Sequence, residues 1–164
     1  MPPIDPIDFR RAASHFLTGV TVITTLDEAG RPAGLTANSF STVSLRPPLV
    51  LFCLGRESDT FEAFGAGNGY VVHVLGADQQ DLAERFAAKG IDRFEGVDWT
   101  PGHNGLPVLP GALSRFECDL AHSYEGGDHL ILVGEVRHLT YAGLERPALG
   151  YFRGGYVVHP PWPR

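Results

Sequence analysis

The sequence predicts a mainly β fold, an antiparallel β-barrel decorated by a few helices. Three observations carry this. Strand-like runs outnumber helical ones, the Gly- and Asp-rich turns between them suit antiparallel pairing, and the regular strand–helix alternation of a doubly wound sheet is missing.

Residues 7–17 carry an apolar face at helical spacing (Ile7, Phe9, Ala12, Ala13, Phe16, Leu17), with Pro6 suited to the first turn and Gly19 as the stop. Val20 to Leu26 is a β-branched run. Asp27 to Gly30 forms a turn, and a second strand from Ala33 to Phe40 completes a hairpin. Pro47-Pro48 introduces Leu49 to Leu54, an apolar strand expected to be buried on both faces. Residues 58–66 and 78–89 read as short helices with Ser58 and Asp78 as N-caps, and Tyr70 to Leu75 as the strand between them. Thr100 to Gly111 is a Gly/Pro-rich loop. Ala112–His122, His129–Thr140 and Tyr151–Val158 read as strands, the first two joined by a tight turn at Gly126-Gly127-Asp128.

With 164 residues, 43% hydrophobic and 20% charged, the chain suits one globular domain spanning 1–164. A net charge of -6, with one lysine (Lys89) against twelve arginines, argues against broad binding to nucleic acid or anionic membranes. No apolar run approaches the ~18 residues of a spanning helix, and Met1 to Pro6 lacks the pattern of a secretory signal, so the expected compartment is the cytoplasm. Cys53 and Cys118 read as buried free thiols.

Several chemistries lack their motifs. There is no phosphate loop of the G-x-x-x-x-G-K type, no G-x-S-x-G and no paired histidines at metal-ligand spacing. Gly65-Ala-Gly67-Asn-Gly69 precedes a strand and lacks the third glycine of a dinucleotide fingerprint. What remains is Leu35 to Ser44, mostly small and polar, where a planar ligand could approach the backbone. Arg56-Glu-Ser-Asp-Thr60 opens a predicted helix and offers N–H groups and hydroxyls to a phosphate. Gly126 to His129 and Tyr151-Phe-Arg-Gly154 add a turn histidine and an arginine. Taken singly, each has a bland alternative: an edge strand, an N-cap, a solvated histidine, a surface arginine.

In order, Phe16-Leu-Thr-Gly-Val-Thr-Val22, Gly34-Leu-Thr-Ala-Asn-Ser-Phe40, Val43-Ser-Leu-Arg-Pro-Pro-Leu-Val50, Asp92-Arg-Phe94, Leu109-Pro-Gly-Ala-Leu113, Gly126-Gly-Asp-His129 and Tyr151-Phe-Arg-Gly154 resemble the flavin reductase family. These are the small partners of two-component flavin-dependent monooxygenases, and the resemblance runs from about residue 9 to residue 156. It implies an FMN-binding split β-barrel of Greek-key type, usually a homodimer, that reduces FMN or FAD with NADH or NADPH. Thr36, Ala37, Asn38 and Ser39 would then line the isoalloxazine, largely through backbone groups. Ser44, Leu54, Gly55 and Arg56 would lie near the ribityl chain, and Ser58 and Thr60 near the phosphate. Phe86, Ala87 and Lys89 would close over the flavin, while His129, Tyr151, Phe152, Arg153 and Gly154 would flank the nicotinamide. His73 stands where family members commonly carry asparagine, and the tail from Gly155 to Arg164 is apolar where a basic end is common. The resemblance leaves two other readings open: a flavin-binding electron carrier without turnover, and a related split-barrel oxidase.

Overall fold

The computed structural model describes residues 3–161, so the end of the predicted apolar tail lies outside the described residues. The first helix, α1 (Pro6–Ala13), starts where proline costs nothing. Asp5 caps it, its Oδ1 accepting from the N–H groups of Ile7 at 2.7 Å and Asp8 at 3.3 Å. It stops at Ala13 rather than Leu17, because no α1 residue is buried and no packing rewards further turns.

The strands β1 (Thr18–Gly19), β2 (Thr21–Leu26) and β3 (Pro32–Ala37) follow. Asp27 builds the β2–β3 turn, its Oδ1 accepting from the N–H groups of Ala29 and Arg31 at 2.9 and 2.8 Å. The second strand ends at Ala37, earlier than the sequence pattern suggests. Beyond it, β4 (Ser41–Leu45) pairs instead with β5 (Pro48–Gly55). On β5 only one face is fully buried, through Val50, Phe52 and Leu54. Leu49, Leu51 and Cys53 on the other face are half-buried, so the expectation of two covered faces fails there and is met by β2.

Two short helices, α2 (Phe61–Ala66) and α3 (Gln80–Ala87), flank β6 (Gly69–Val74). Neither expected cap holds. Ser58 makes a turn ahead of α2, its Oγ accepting from the Thr60 N–H at 3.3 Å, and Asp78 pairs with Arg146 at 2.8 Å. The predicted 100–111 loop contains a miniature hairpin, β7 (Thr100–Pro101) and β8 (Pro107–Val108). The longest strands, β9 (Ser114–Gly126) and β10 (His129–Tyr141), meet at the predicted turn, with Gly127 at φ 72°. The single strand expected over residues 151–158 is a hairpin, β11 (Ala148–Phe152) and β12 (Gly155–His159). Arg153 (φ 49°) and Gly154 (φ 85°) turn it in the manner of a type I′ turn.

Seven strands form one antiparallel sheet in the order β3-β2-β6-β9-β10-β5-β4, whose two edges, β3 and β4, are consecutive in the chain. The chain crosses from β5 near one edge to β6 between β2 and β9, so the sheet is not a simple meander. Its main core gathers Ile23, Phe52, Leu54, Phe64, Tyr70, Val72 and Leu132. A second cluster, with Val22, Ala83, Phe86, Phe94 and Leu149, lies where α3 and β11 cover the other face of the sheet. The small sheet β1-β11-β12 joins the large one through Leu149, whose N–H donates to the Leu75 carbonyl at 3.1 Å. Among the described residues, no helix is long and apolar enough to cross a membrane.

His73 on β6 is fully buried and has a defined tautomer. Its Nε2 accepts from the Leu109 N–H at 3.0 Å, so its Nδ1 carries the proton and donates to the Val22 carbonyl at 3.0 Å. The ring thus fastens the 100–111 loop to the sheet.

Candidate functional site: a cleft beside the β3 edge

A cleft of about 730 Å³ opens along β3, bounded by the loop after β5, the end of α3 and the β9–β10 turn. It gathers Thr36, Ala37, Asn38 and Ser39 from the β3 edge, Gly55, Arg56 and Ser58 from the end of β5 and its loop, Phe86 and Ala87 from α3 with Lys89 just beyond it, and His129 from β10. Four stretches of chain far apart in sequence therefore meet, as the sequence reading expects.

Two hydroxyls along and just after β3 are already committed. Thr36 Oγ1 donates to the Ala83 carbonyl at 2.6 Å and pins β3 to α3. Ser39 Oγ accepts from the Cys53 N–H at 3.0 Å and pins the segment after β3 to β5. With the hydroxyls turned to the protein, small side chains and backbone remain to face a ligand. Gly55 lies opposite His129 in the ladder, and a Cβ there would come within 3.5 Å of His129 Nε2, so the imidazole packs over the glycine. Asp128 fixes the ring, with Nδ1 and Oδ1 at 2.7 Å, and that bond holds the Asp128 carboxyl below its usual range.

Not every expected residue reaches the cleft. Ser44 sits on β4, where its Oγ accepts from the Arg46 N–H at 3.2 Å. Leu54 points into the core, and only its backbone runs near the loop. The Thr60 hydroxyl is 2.9 Å from that of Ser58 and stands behind it. Tyr151 lines a smaller hollow of about 230 Å³ that shares Thr36, Ala37, Asn38 and Ala87 with the cleft. Phe152, Arg153 and Gly154 line neither, because the hairpin turn carries them away; the Arg153 N–H donates to the Ser14 carbonyl at 2.9 Å.

Arg10 on α1 and Arg93 line the cleft although the sequence assigns neither to it, and Asp59, from the Arg56–Thr60 segment, lies beside them. Arg93 Nη2 holds both Asp59 carboxylate oxygens, at 2.8 and 2.9 Å, while its Nη1 donates to the Gly34 carbonyl at 2.9 Å and its Nε to the Ala88 carbonyl at 2.7 Å. The run Asp92-Arg-Phe94 is a motif without periodicity, and nothing local announces a partner at Asp59. The cleft balances the cations of Arg10, Arg56, Lys89 and Arg93 against Glu57, Asp59 and Asp128. Arg56 is also paired with Glu125 and lies 5.9 Å from the Phe61 ring centre.

A family model described as the flavin reductase like domain matches residues 13–159. The chain belongs to this flavin reductase-like family. Reductase subunit HsaB of a flavin-dependent monooxygenase, from Rhodococcus jostii, is 42% identical over 154 residues, covering 94% of this chain and 78% of the relative. A Rhizobium meliloti protein named as a probable flavin reductase is 43% identical over 154 residues. The chain spans 49% of that relative's length. Among solved structures, the Streptomyces globisporus NADH:FAD oxidoreductase SgcE6, in complex with NAD and FAD fragments, superposes with a TM-score of 0.86. It is 38% identical, and the match covers 96% of each chain. Flavin reductase-like architecture thus accounts for the mainly β fold.

Proposed function

We propose that this chain, acting as one domain, is an NAD(P)H-dependent flavin reductase that reduces FMN or FAD and supplies the reduced flavin to a partner monooxygenase. The observation that carries the reading is the convergence of Thr36–Ser39, Gly55–Ser58, Ala87 and His129 on one cleft. The residues fit a flavin. A wall of small side chains with its hydroxyls turned away would take the flat ring system. The loop of Arg56 and Ser58, with Lys89 across the cleft, would take a phosphate. When bound, the flavin supplies the hydride-accepting centre, and the protein supplies position and electrostatics. His129, held by Asp128, would orient the nicotinamide nucleotide, with Tyr151 beside it.

The test is steady-state oxidation of NADH and NADPH with FMN or FAD added in excess. Continuous turnover is the expected result. A single turnover per protein would mark an electron carrier, and reoxidation accelerated by an amine or another dedicated substrate would mark an oxidase. Ser58→Ala is expected to weaken FMN binding about fivefold, roughly 1 kcal/mol for one lost hydrogen bond. Flavin titration with a thermal melt on the same sample checks it, since a lower melting temperature with unchanged affinity would make Ser58 only a turn former.

The same reading includes a homodimer. Phe9 (63% exposed), Phe16 (76%) and Leu45 (90%) leave α1, the segment after it and β4 with uncovered apolar surface, as expected of a face that a second copy covers. Sedimentation should return twice the 17.8 kDa chain mass; a monomer at micromolar concentration would refute the pairing. Free Cys53 and Cys118 agree with a cytoplasmic protein, and the net charge of -6 with one that meets its oxygenase through diffusing flavin rather than on nucleic acid or a membrane.

A further inference from the structure

We propose that the Asp59–Arg93 pair sets how strongly this cleft favours phosphorylated flavins over riboflavin. The inference rests on the flavin reading of the cleft and adds a residue pair to it. Asp59 lies between Ser58 and Thr60, in the loop assigned to the phosphate, where a free carboxylate would repel a phosphate dianion. It is not free. Arg93, with its side chain 8% exposed, binds both carboxylate oxygens, while the Asp59 side chain remains 44% exposed.

The same guanidinium reaches the Gly34 carbonyl on β3 and the Ala88 carbonyl at the end of α3. Its three anchor points are therefore two residues before Thr36, one before Lys89 and one after Ser58. Arg93 has no freedom to swing into the cleft, and Asp59 has no reason to leave it. The pair is neutral as a unit, and it holds the loop, β3 and α3 in one register. A phosphate arriving at Ser58 meets neither the bare carboxylate nor the bare guanidinium. The charge of either one becomes visible only when the other is removed.

That arrangement makes a prediction of opposite signs. Asp59→Asn is nearly isosteric, and its amide oxygen still accepts from Arg93, so the loop stays in place while one positive charge is uncovered. The ratio of FMN to riboflavin affinity should rise about fivefold, and the rise should shrink in high salt. Arg93→Gln uncovers the carboxylate instead, and the same ratio should fall at least tenfold. A purely structural role moves both flavins together and leaves the ratio unchanged.

Both ligands are titrated by quenching of flavin fluorescence at 50 and 500 mM salt, with a thermal melt of each variant. An unchanged or lowered ratio in Asp59→Asn overturns the proposal even if Arg93→Gln fails to fold. A wild-type protein that binds both flavins equally tightly also overturns it, by removing the phosphate from this loop. A wild-type protein that binds neither flavin overturns the flavin reading itself, which separates the two failures.

Discussion

Replacing His129 with alanine is expected to lower kcat/KM for NADH or NADPH at least tenfold, about 1.4 kcal/mol of transition-state stabilisation, with flavin affinity nearly unchanged. The imidazole is the first side chain of β10, set at the cleft by the Gly127–Asp128 turn. It is held on one side by Asp128 and supported below by the bare backbone of Gly55. A Cβ at position 55 would stand 3.5 Å from the ring Nε2, so the imidazole rests in van der Waals contact on this stretch of strand. A fixed ring can orient a nucleotide without paying for its own ordering when the ligand arrives. Stopped-flow reduction and a flavin titration on one preparation check the claim. Equal reduction rates would make His129 a spectator, and a matching loss of flavin affinity would move it to the flavin side of the cleft.

Stability is expected to fall by about 3 kcal/mol as the pH drops from 6.5 to 4, owing to His73. Burial is the largest cause that depresses this imidazole to about 4, opposed by the hydrogen bond to Val22 and by Glu117, with Arg115 adding to it. The sign follows from which state takes up the proton. Above pH 6.5 both folded and unfolded chains hold His73 neutral, and its contribution is fully present. Between 6.5 and 4 only the unfolded chain protonates, so the contribution is lost steadily until the folded form protonates as well. The depressed carboxyls of Asp27, Asp119 and Asp128 add their own loss from about pH 5 downward, mostly below this window.

His73→Asn separates the parts of this effect. The shorter amide still reaches the Val22 carbonyl but not the Leu109 N–H, so about 2 kcal/mol should be lost at pH 7. The slope between pH 6.5 and 4 should flatten. Denaturant titrations at pH 7 and 4.5 decide the matter, and equal acid sensitivity in both proteins would shift the blame from His73. The imidazole thus makes two fastenings, to β2 and to the 100–111 loop, at the cost of acid tolerance.

What the sequence revealed was mostly local. Asp27 to Gly30 and Gly126 to Asp128 announce their turns because the residues themselves supply the required geometry, and the strands they join follow. The turn at Arg153–Gly154 was hidden because an arginine at positive φ carries no compositional mark, and the flanking strands merge into one apolar run. β4 is legible only as the edge-strand alternative for Leu35 to Ser44, because Ser41 to Leu45 lacks the alternation of a half-buried strand; all but one of its residues are exposed. The resemblance singles out residues 36–39, 55–58, 86–89 and 129, and the structure brings most of these onto one cleft. Arg93 was not legible as a cleft residue. It joins Asp59 across 34 positions of chain, and no period or spacing encodes such a meeting.

The chain has one lysine, and it is at the cleft. Every other side-chain cation is an arginine or a histidine, which amine-selective acylating reagents leave largely untouched. Lys89 therefore makes the mouth of the cleft chemically addressable without mutagenesis. A dye or affinity tag placed there would report directly on occupancy by colourless nucleotides as well as coloured flavins. Protection of that amine by a bound ligand, read as a single peptide mass, would locate the occupant independently of any catalytic assay.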